Sequence, residues 1–295
     1  MNGVLVIDKP QGLTSHDVVN RVRRMVGERS VGHLGTLDPM ATGVLPMVLG
    51  NFTRLAQFYL GAAKSYDGEI RFGFATDTYD AEGEAVGPSS DDQSLTLECV
   101  REAAGHFAGT IQQMPPPFSA KKIAGVPAYK LARKKQEVAL EPVTVEVHEL
   151  EILSLEGDRA RFRSRVSSGT YLRSIAHDIG QRLGMGAHLS ALRRTAVAEF
   201  DLTGAVTLEA VAEAAEQQRV AELMVHPRRV VPQMPCVTAA EDIVFRIRNG
   251  QPVNLPEMSR APLVKVFASQ TELVAIAARI AGTLFQPKVV FPASA

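Results

Sequence analysis

Cysteine is scarce in this chain: two of 295 residues, Cys99 and Cys236. That leaves no disulfide scaffold and speaks against a cysteine-based zinc site; both thiols read as small buried apolar groups. Long hydrophobic runs are missing too. The longest uncharged stretches, Pro39–Thr53 and His106–Ala120, run about 15 residues, contain proline and fall short of a bilayer span. The opening MNGVLVIDKP has no basic start and meets an acid at Asp8. It does not read as a signal peptide, so the cytoplasm is the expected address. Seven histidines show no metal-ligand spacing, and no His-Glu-x-x-His occurs. Also absent are the phosphate-binding Gly-x-x-x-x-Gly-Lys-Ser/Thr, a dinucleotide fingerprint among Gly32, Gly35 and Gly43, and Gly-x-Ser-x-Gly. If the chain is an enzyme, it is expected to need neither cofactor nor metal.

Net charge is absent as well, with 32 basic and 32 acidic residues. This argues against indiscriminate polyanion binding, yet the charge is banded. Residues 61–111 hold 3 basic and 10 acidic residues, 112–135 hold 6 and none, 136–160 hold 1 and 7, and 161–200 hold 7 and 2. Either the two basic bands build a local phosphate-binding surface, or they are solvated faces that cancel. With 45% apolar and 22% charged residues the composition is that of a soluble globular protein with a sizeable core. The length allows one large domain or two unequal ones.

Val4–Ile7 reads as a strand running into the turn Asp-Lys-Pro-Gln-Gly. Ser15 is the expected N-cap of a helix carrying Val18, Val22, Met25 and Val26, ended by Gly27. Tyr66, Ile70, Phe72 and Phe74 alternate with polar residues as a half-buried strand. The acids at 77, 80, 82 and 84 read as a solvated hairpin end. Leu97–Phe107 reads as a helix, Gln112–Lys122 as a Pro-rich loop and Ala128–Lys135 as a short basic helix. Val143–Leu155 and 159–167 alternate, the latter with Arg161, Arg163 and Arg165 on one face. Tyr171–Leu183 is a helix with Leu172, Ile175, Ala176, Ile179 and Leu183 on one stripe, and another is expected over Leu208–Met224. Short apolar runs after residue 235 suggest a small β-rich appendage. Strands mixed with single helices, without regular βαβ alternation, indicate an α+β fold.

Two segments stand out chemically. Gly32–Pro46 (GHLGTLDPMATGVLP) sets one carboxylate, Asp38, in a loop with three glycines and two prolines. Pro39 biases Asp38 to an extended backbone, and the glycines permit tight turns and close approach of another backbone or ligand. An Asx turn is the plain alternative. In Ser168–Arg173, Arg173 enters the first turn of a helix, where the dipole disfavours a cation. It needs a partner, and Asp38 is a candidate; a guanidinium there would keep that carboxylate ionised. Tyr66 is either a core tyrosine or a platform for a base. Arg193 and Arg194 read as phosphate contacts or as a solvated edge.

These residues, with others, resemble a known family. GHLGTLDPMATGVLP is similar to the aspartate motif of the TruB-type tRNA pseudouridine synthases, the pseudouridine-55 synthases. So are Lys9-Pro10-x-Gly12-x-Thr14-Ser15, Lys64–Tyr66 with Thr76–Thr78 and Asp80, and Gln113–Pro116 through Ala120. Gly169–Ile175 and Gly186–His188 to Leu192–Arg194 complete the set. The resemblance spans about 190 residues and is weak after about residue 230. It implies a pseudouridine-synthase fold: a mixed, largely antiparallel sheet flanked by helices. The implied domains are a catalytic one over 1–230, with a thumb-like loop near 112–135, and a PUA-like RNA-binding domain over 235–295.

The implied reaction isomerises a uridine in the T loop of tRNA, position 55, to pseudouridine, without cofactor. Asp38 is then nucleophile or sugar-proton base. Tyr66 stacks on the uracil and helps remove the C5 proton, and Arg173 pairs with Asp38. Tyr171 and Leu192 line the base pocket. His33 fills the space left by the flipped nucleotide, and Lys9 contacts phosphate. The implied partner is the tRNA T-arm stem-loop, with no membrane and no protein partner, and the chain as a monomer. The bands 112–135, with Lys121, Lys122, Lys130, Arg133, Lys134 and Lys135, and 161–200 are expected to form one RNA-facing surface. A non-catalytic RNA-binding protein and a hydrolase built on a lone aspartate are the rival classes.

Overall fold

The computed structural model describes residues 1–89, 95–118 and 141–292, with the backbone of 122–123 and 126–127. The expected basic helix at Ala128–Lys135 lies outside the described residues. Nine strands make the main sheet: β1 (Gly3–Lys9), β2 (Val31–His33), β3 (Thr42–Leu49), β4 (Lys64–Phe72), β5 (Gly109–Gln113), β6 (Val143–Glu156), β7 (Arg159–Val166), β8 (Ala187–Val197) and β9 (Phe200–Asp201). Their order is β1-β3-β8-β4-β7-β6-β5, with β2 on β3 and β9 on β8. Only β3 and β8 pair in parallel among the described strands of this sheet. The fold is thus α+β, with the mixed and largely antiparallel sheet expected.

The two ends of the sheet differ in burial. β7 alternates strictly, exposed and buried, because only one of its faces meets a core. Helices α1 (Ser15–Val26), α2 (Leu97–Gly105), α3 (Leu172–Arg182) and α4 (Leu208–Glu216) contribute to that core through Val18, Val100, Ile175, Ile179 and Val211. β1 and β3 are buried almost throughout, because a second core packs on their other face. That core joins Val4, Val44 and Phe52 to Phe267, Ile276 and Phe291. The last three belong to the C-terminal region. It is a five-stranded sheet of β10 (Cys236–Thr238), β11 (Val253–Asn254), β12 (Leu263–Phe267), β13 (Leu273–Ala281) and β14 (Leu284–Val290), in the order β10-β12-β13-β14-β11, with α5 (Glu241–Arg248). The Phe52 and Phe291 rings meet edge to face at 5.2 Å, and Arg54 donates to the Val290 carbonyl at 2.9 Å.

Several local expectations need correction. The N-cap of α1 is Thr14, which forms a capping box with Asp17, worth about 1 kcal/mol. Ser15, one residue later, is buried with its hydroxyl on both backbone groups of Leu37, at 2.8 and 3.1 Å. Gln112 and Gln113 belong to β5 instead of the Pro-rich loop. The helix from Leu208 stops at Glu216, and Gln218 has a left-handed backbone. Cys99 is exposed and Cys236 half-buried, so neither thiol is a core residue. The 77–84 turn is not wholly solvated either: Asp80 is only 3% exposed.

Candidate active site

The loop from Gly35 to Ala41 is tied down from three sides. Ser15 holds Leu37 as described. Lys9, fully buried, donates from Nζ to the carbonyls of Pro10, Leu13 and Pro39 at 2.8, 2.6 and 3.2 Å. Arg194, also fully buried, donates to Val44, Thr36 and Gly35 carbonyls at 2.7, 3.2 and 3.0 Å. Gly43 allows this: its φ is +98°, and a Cβ there would collide with the Arg194 backbone carbonyl across the parallel β3–β8 pairing. The loop that presents Asp38 is therefore fixed by the fold before any ligand arrives.

Opposite it, the chain enters α3. Gln113, 1% exposed, accepts from the Tyr171 N–H at 2.8 Å and donates to the Tyr171 carbonyl at 3.0 Å. Arg173 follows in the first helical turn, with its side chain 6% exposed. Its Nε lies 2.9 Å from Asp38 Oδ2, and its Nη2 donates to Oδ1 at 3.3 Å. The other edge reaches Asp80 Oδ2 at 3.1 Å and the Thr78 carbonyl at 3.1 Å. Asp80 in turn accepts from Thr78 Oγ1 at 2.6 Å and the Glu82 N–H at 3.1 Å. One guanidinium thus serves two carboxylates, which offsets its unfavourable place at a helix N-terminus. Burial pushes the Asp38 carboxyl above the ordinary aspartate range; Arg173 opposes this and Asp80 adds to it.

Between loop and helix lies a cleft of about 240 Å³ whose walls include Asp38, Lys64, Tyr66, Tyr171, Arg173 and Leu192. Tyr66 and Lys64 project from the same face of β4, and both are buried. Cross-strand from Tyr66 stands Arg194, whose positive charge acts on the phenol. Burial raises the Tyr66 hydroxyl, and Arg194 counteracts that. The arrangement offers a part-exposed carboxylate on a guanidinium, in one cleft with an aromatic ring. This is a site for nucleophilic or proton-transfer chemistry on a planar ligand.

Residues 23–172 match the TruB family pseudouridylate synthase N-terminal domain, and residues 173–232 match the tRNA pseudouridylate synthase B C-terminal domain. The chain belongs to the TruB pseudouridylate synthase family. It is 48% identical to the tRNA pseudouridine synthase B of Solibacter usitatus, over 98% of this chain and 100% of that one. With the protein of the same name from Syntrophotalea carbinolica it shares 44% identity, over 85% of this chain and 82% of the relative. Among solved structures it is similar to a chain in an H/ACA RNP bound to a substrate RNA containing 2'-deoxyuridine. That match has a TM-score of 0.71 and 26% identity, over 98% of this chain and 85% of that one.

Of the residues expected at the site of this family member, Asp38, Tyr66, Tyr171, Arg173 and Leu192 share the cleft. His33 ends β2, pairs with Met47 and lies outside the cleft walls. Lys9 corrects the expectation of a phosphate contact: its ammonium is enclosed by three carbonyls. Arg194 is likewise no phosphate contact. Arg193 faces the other side of β8 and pairs with Asp8 at 2.7 Å. The arginines of β7 also face away from the cleft. Arg163 lies across from Asp67 and pairs with it at 3.1 Å, whereas Tyr66 lies across from Ser164. Asp80, Lys64 and Gln113 are the site residues that residue-type reasoning passed over. A signal did exist for Lys64, which shares strand parity with Tyr66.

Proposed function

We propose that this protein isomerises a uridine in tRNA, at position 55 of the T loop, to pseudouridine. The observation that carries the reading is the Asp38 carboxylate on Arg173, 2.9 Å away, beside a cleft formed partly by Tyr66. The target nucleotide flips into the cleft, at a cost of a few kcal/mol of stacking, and its uracil lies on Tyr66 between Tyr171 and Leu192. Asp38 attacks the sugar or base, or takes a sugar proton. The C1′–N1 bond breaks, the uracil turns, and C1′–C5 forms; C5 gives up a proton, which the Tyr66 hydroxyl takes up as it passes on its own, and N1 gains one. His33 contacts the RNA around the flipped position. Nothing is added or removed, so the chemistry calls for no cofactor. Residues 235–295 are read as a PUA-like RNA-binding unit beside a catalytic domain over 1–230. The protein is read as a cytoplasmic monomer acting on the T-arm; no described helix is long and apolar enough to cross a membrane.

The test is incubation with an unmodified tRNA transcript, followed by carbodiimide-dependent primer extension. A stop reporting pseudouridine at position 55 is expected with the wild-type chain and none with Asp38→Asn. Release of free uracil would favour the hydrolase reading, since isomerisation leaves the RNA mass unchanged. Tight binding with neither product would favour the non-catalytic one.

A further inference from the structure

The cleft has a cationic floor that the aspartate chemistry does not use. Lys64 is 9% exposed and lines the cleft. Its Nζ donates to the Ala62 carbonyl at 2.9 Å, its one hydrogen bond among the described residues; an ammonium carries three donors. Arg194 stands next to it, and no described carboxylate forms an ion pair with either. Gly35 fits over both cations, with φ +113°: a Cβ there would sit 3.0 Å from Lys64 Cε and 3.6 Å from Arg194 Nη1. A charge this buried, without a counter-ion, costs free energy unless the ligand supplies negative charge.

We propose that Lys64 is a further catalytic residue, which holds a carbonyl oxygen of the uracil and stabilises the negative charge that develops on the base as its glycosidic bond breaks. The inference rests on the isomerase reading. Successive same-face residues of a strand lie about 6.6 Å apart. A pyrimidine stacked on Tyr66 therefore brings a ring oxygen within hydrogen-bond reach of the Lys64 ammonium. When the C1′–N1 bond breaks, its electron pair stays on the uracil and spreads over N1 and the two carbonyl oxygens. The proton that later leaves C5 and the one N1 receives balance the sequence, so Lys64 donates a hydrogen bond and need not lose its proton. Donors preorganised where charge develops, in a site shielded from water, stabilise a transition state more than a ground state.

Burial, with Arg194 beside it, lowers the Lys64 ammonium to about 8. The groups facing it are Asp38 from the loop, Tyr66 from β4, Arg194 from β8 and Arg173 from α3. Asp38 must lose its proton to act, so it gives a rising limb, and burial raises the Tyr66 hydroxyl. Two ammonium groups at the site lose charge near pH 8: Lys64, and Lys9, which burial also lowers to about 8 and which holds the Pro39 carbonyl of the Asp38 loop.

The experiment is single-turnover conversion at saturating enzyme, on T-arm RNA with uridine or 5-fluorouridine at the target. Consumption of the starting nucleoside is followed, at slightly acidic pH. Fluorine makes the departing base a weaker base, which needs less help from a cation. Lys64→Met is expected to slow uridine RNA on the order of 100-fold and 5-fluorouridine RNA at least about tenfold less, with RNA affinity little changed. Equal slowing of both RNAs overturns the proposal. So does weaker binding with an unchanged saturated rate, which would make Lys64 a phosphate contact. Should Lys64→Met fail to fold, Lys64→Arg decides, since it keeps a cation that does not titrate and leaves Lys9 in place: the fall of the saturated rate on uridine RNA above about pH 8 is expected to move to higher pH, and a wild-type rate flat to about pH 9, or a fall that stays in place in the variant, overturns the proposal. If the wild-type chain converts no uridine at all, the isomerase reading fails instead.

Discussion

The arginines of β7 and the second arginine of β8 occupy neighbouring regions of one sheet under different physical conditions. Arg159, Arg161, Arg163 and Arg165 project from the outer face into water, in register with Glu156, Glu69, Asp67 with Glu151, and Glu149 respectively on the flanking strands. Their ion pairs, such as Arg163–Asp67 with side chains 56% and 47% exposed, are screened and worth about 0–1 kcal/mol. Arg194 projects from the opposite face, is fully buried, and uses its donors on the Gly35 and Thr36 carbonyls of the loop and the Val44 carbonyl of β3. The first set covers a surface; the single residue on the second fixes the loop that carries Asp38. Strand parity decides which is which, since one step along β8 separates Arg193, paired with Asp8, from Arg194.

The sharpest way to test this division is to remove charge on the inner face without changing shape. Asp38→Asn should lower the saturated rate of pseudouridine formation by at least about a thousandfold, as expected for a lost nucleophile or base. tRNA affinity should stay within a few-fold, measured by filter binding. Near wild-type turnover would remove Asp38 from the chemistry.

Next in size is Arg194→Met, which leaves three carbonyls in a dry site without donors. Each such group costs about 1–3 kcal/mol, so denaturant unfolding should show a loss of about 3 kcal/mol or more. Arg163→Met, the matched change on the outer face, should stay within about 0.5 kcal/mol. Similar losses for the two variants would contradict the contrast drawn between the faces.

Arg173→Lys should come third. A lysine is a point charge and cannot bridge Asp38 and Asp80 with two edges of one plane. The saturated rate should fall roughly 100-fold, the scale of one lost charge-stabilising group. Asp38→Asn added to Arg173→Lys should then cost less than it does alone, because both act through one carboxylate.

Much of this was legible from residue type and spacing. The helix-dipole penalty at Arg173 demanded a carboxylate and pointed to Asp38, 135 residues away, and the two are in contact. The stripe through Leu172, Ile175, Ala176 and Ile179 marked the buried face of α3. Asp80 was not legible, because four acids in a short turn look solvated. Its burial comes from the turn docking on β8, where the Leu189 N–H meets the Tyr79 carbonyl at 3.0 Å. Lys9 and Arg194 were misread for a related reason. A cation near a polyanion-binding motif suggests phosphate, and only long-range register reveals that its donors are taken by carbonyls of the protein itself.

The smallest expected effect bears on the outer face alone. If the β7 arginines serve as a solvated surface facing away from the cleft, replacing Arg161, Arg163 and Arg165 together with glutamine should leave tRNA affinity within about twofold. The dependence of affinity on salt is the finer readout, because every cation taken off a phosphate lowers the magnitude of its slope by about 0.7–0.9. The triple variant should keep the wild-type slope to within about half a unit. The same measurement on Lys121, Lys122 and Arg133, whose side chains lie outside the described residues, is the positive arm: if that band meets RNA, neutralising it should weaken binding and flatten the slope. A drop of about two units in the β7 variant would mean that RNA reaches around to the outer face. The two basic bands would then act as one surface after all, and the carboxylates of β4 and β6 would be competitors for arginines that phosphate can claim.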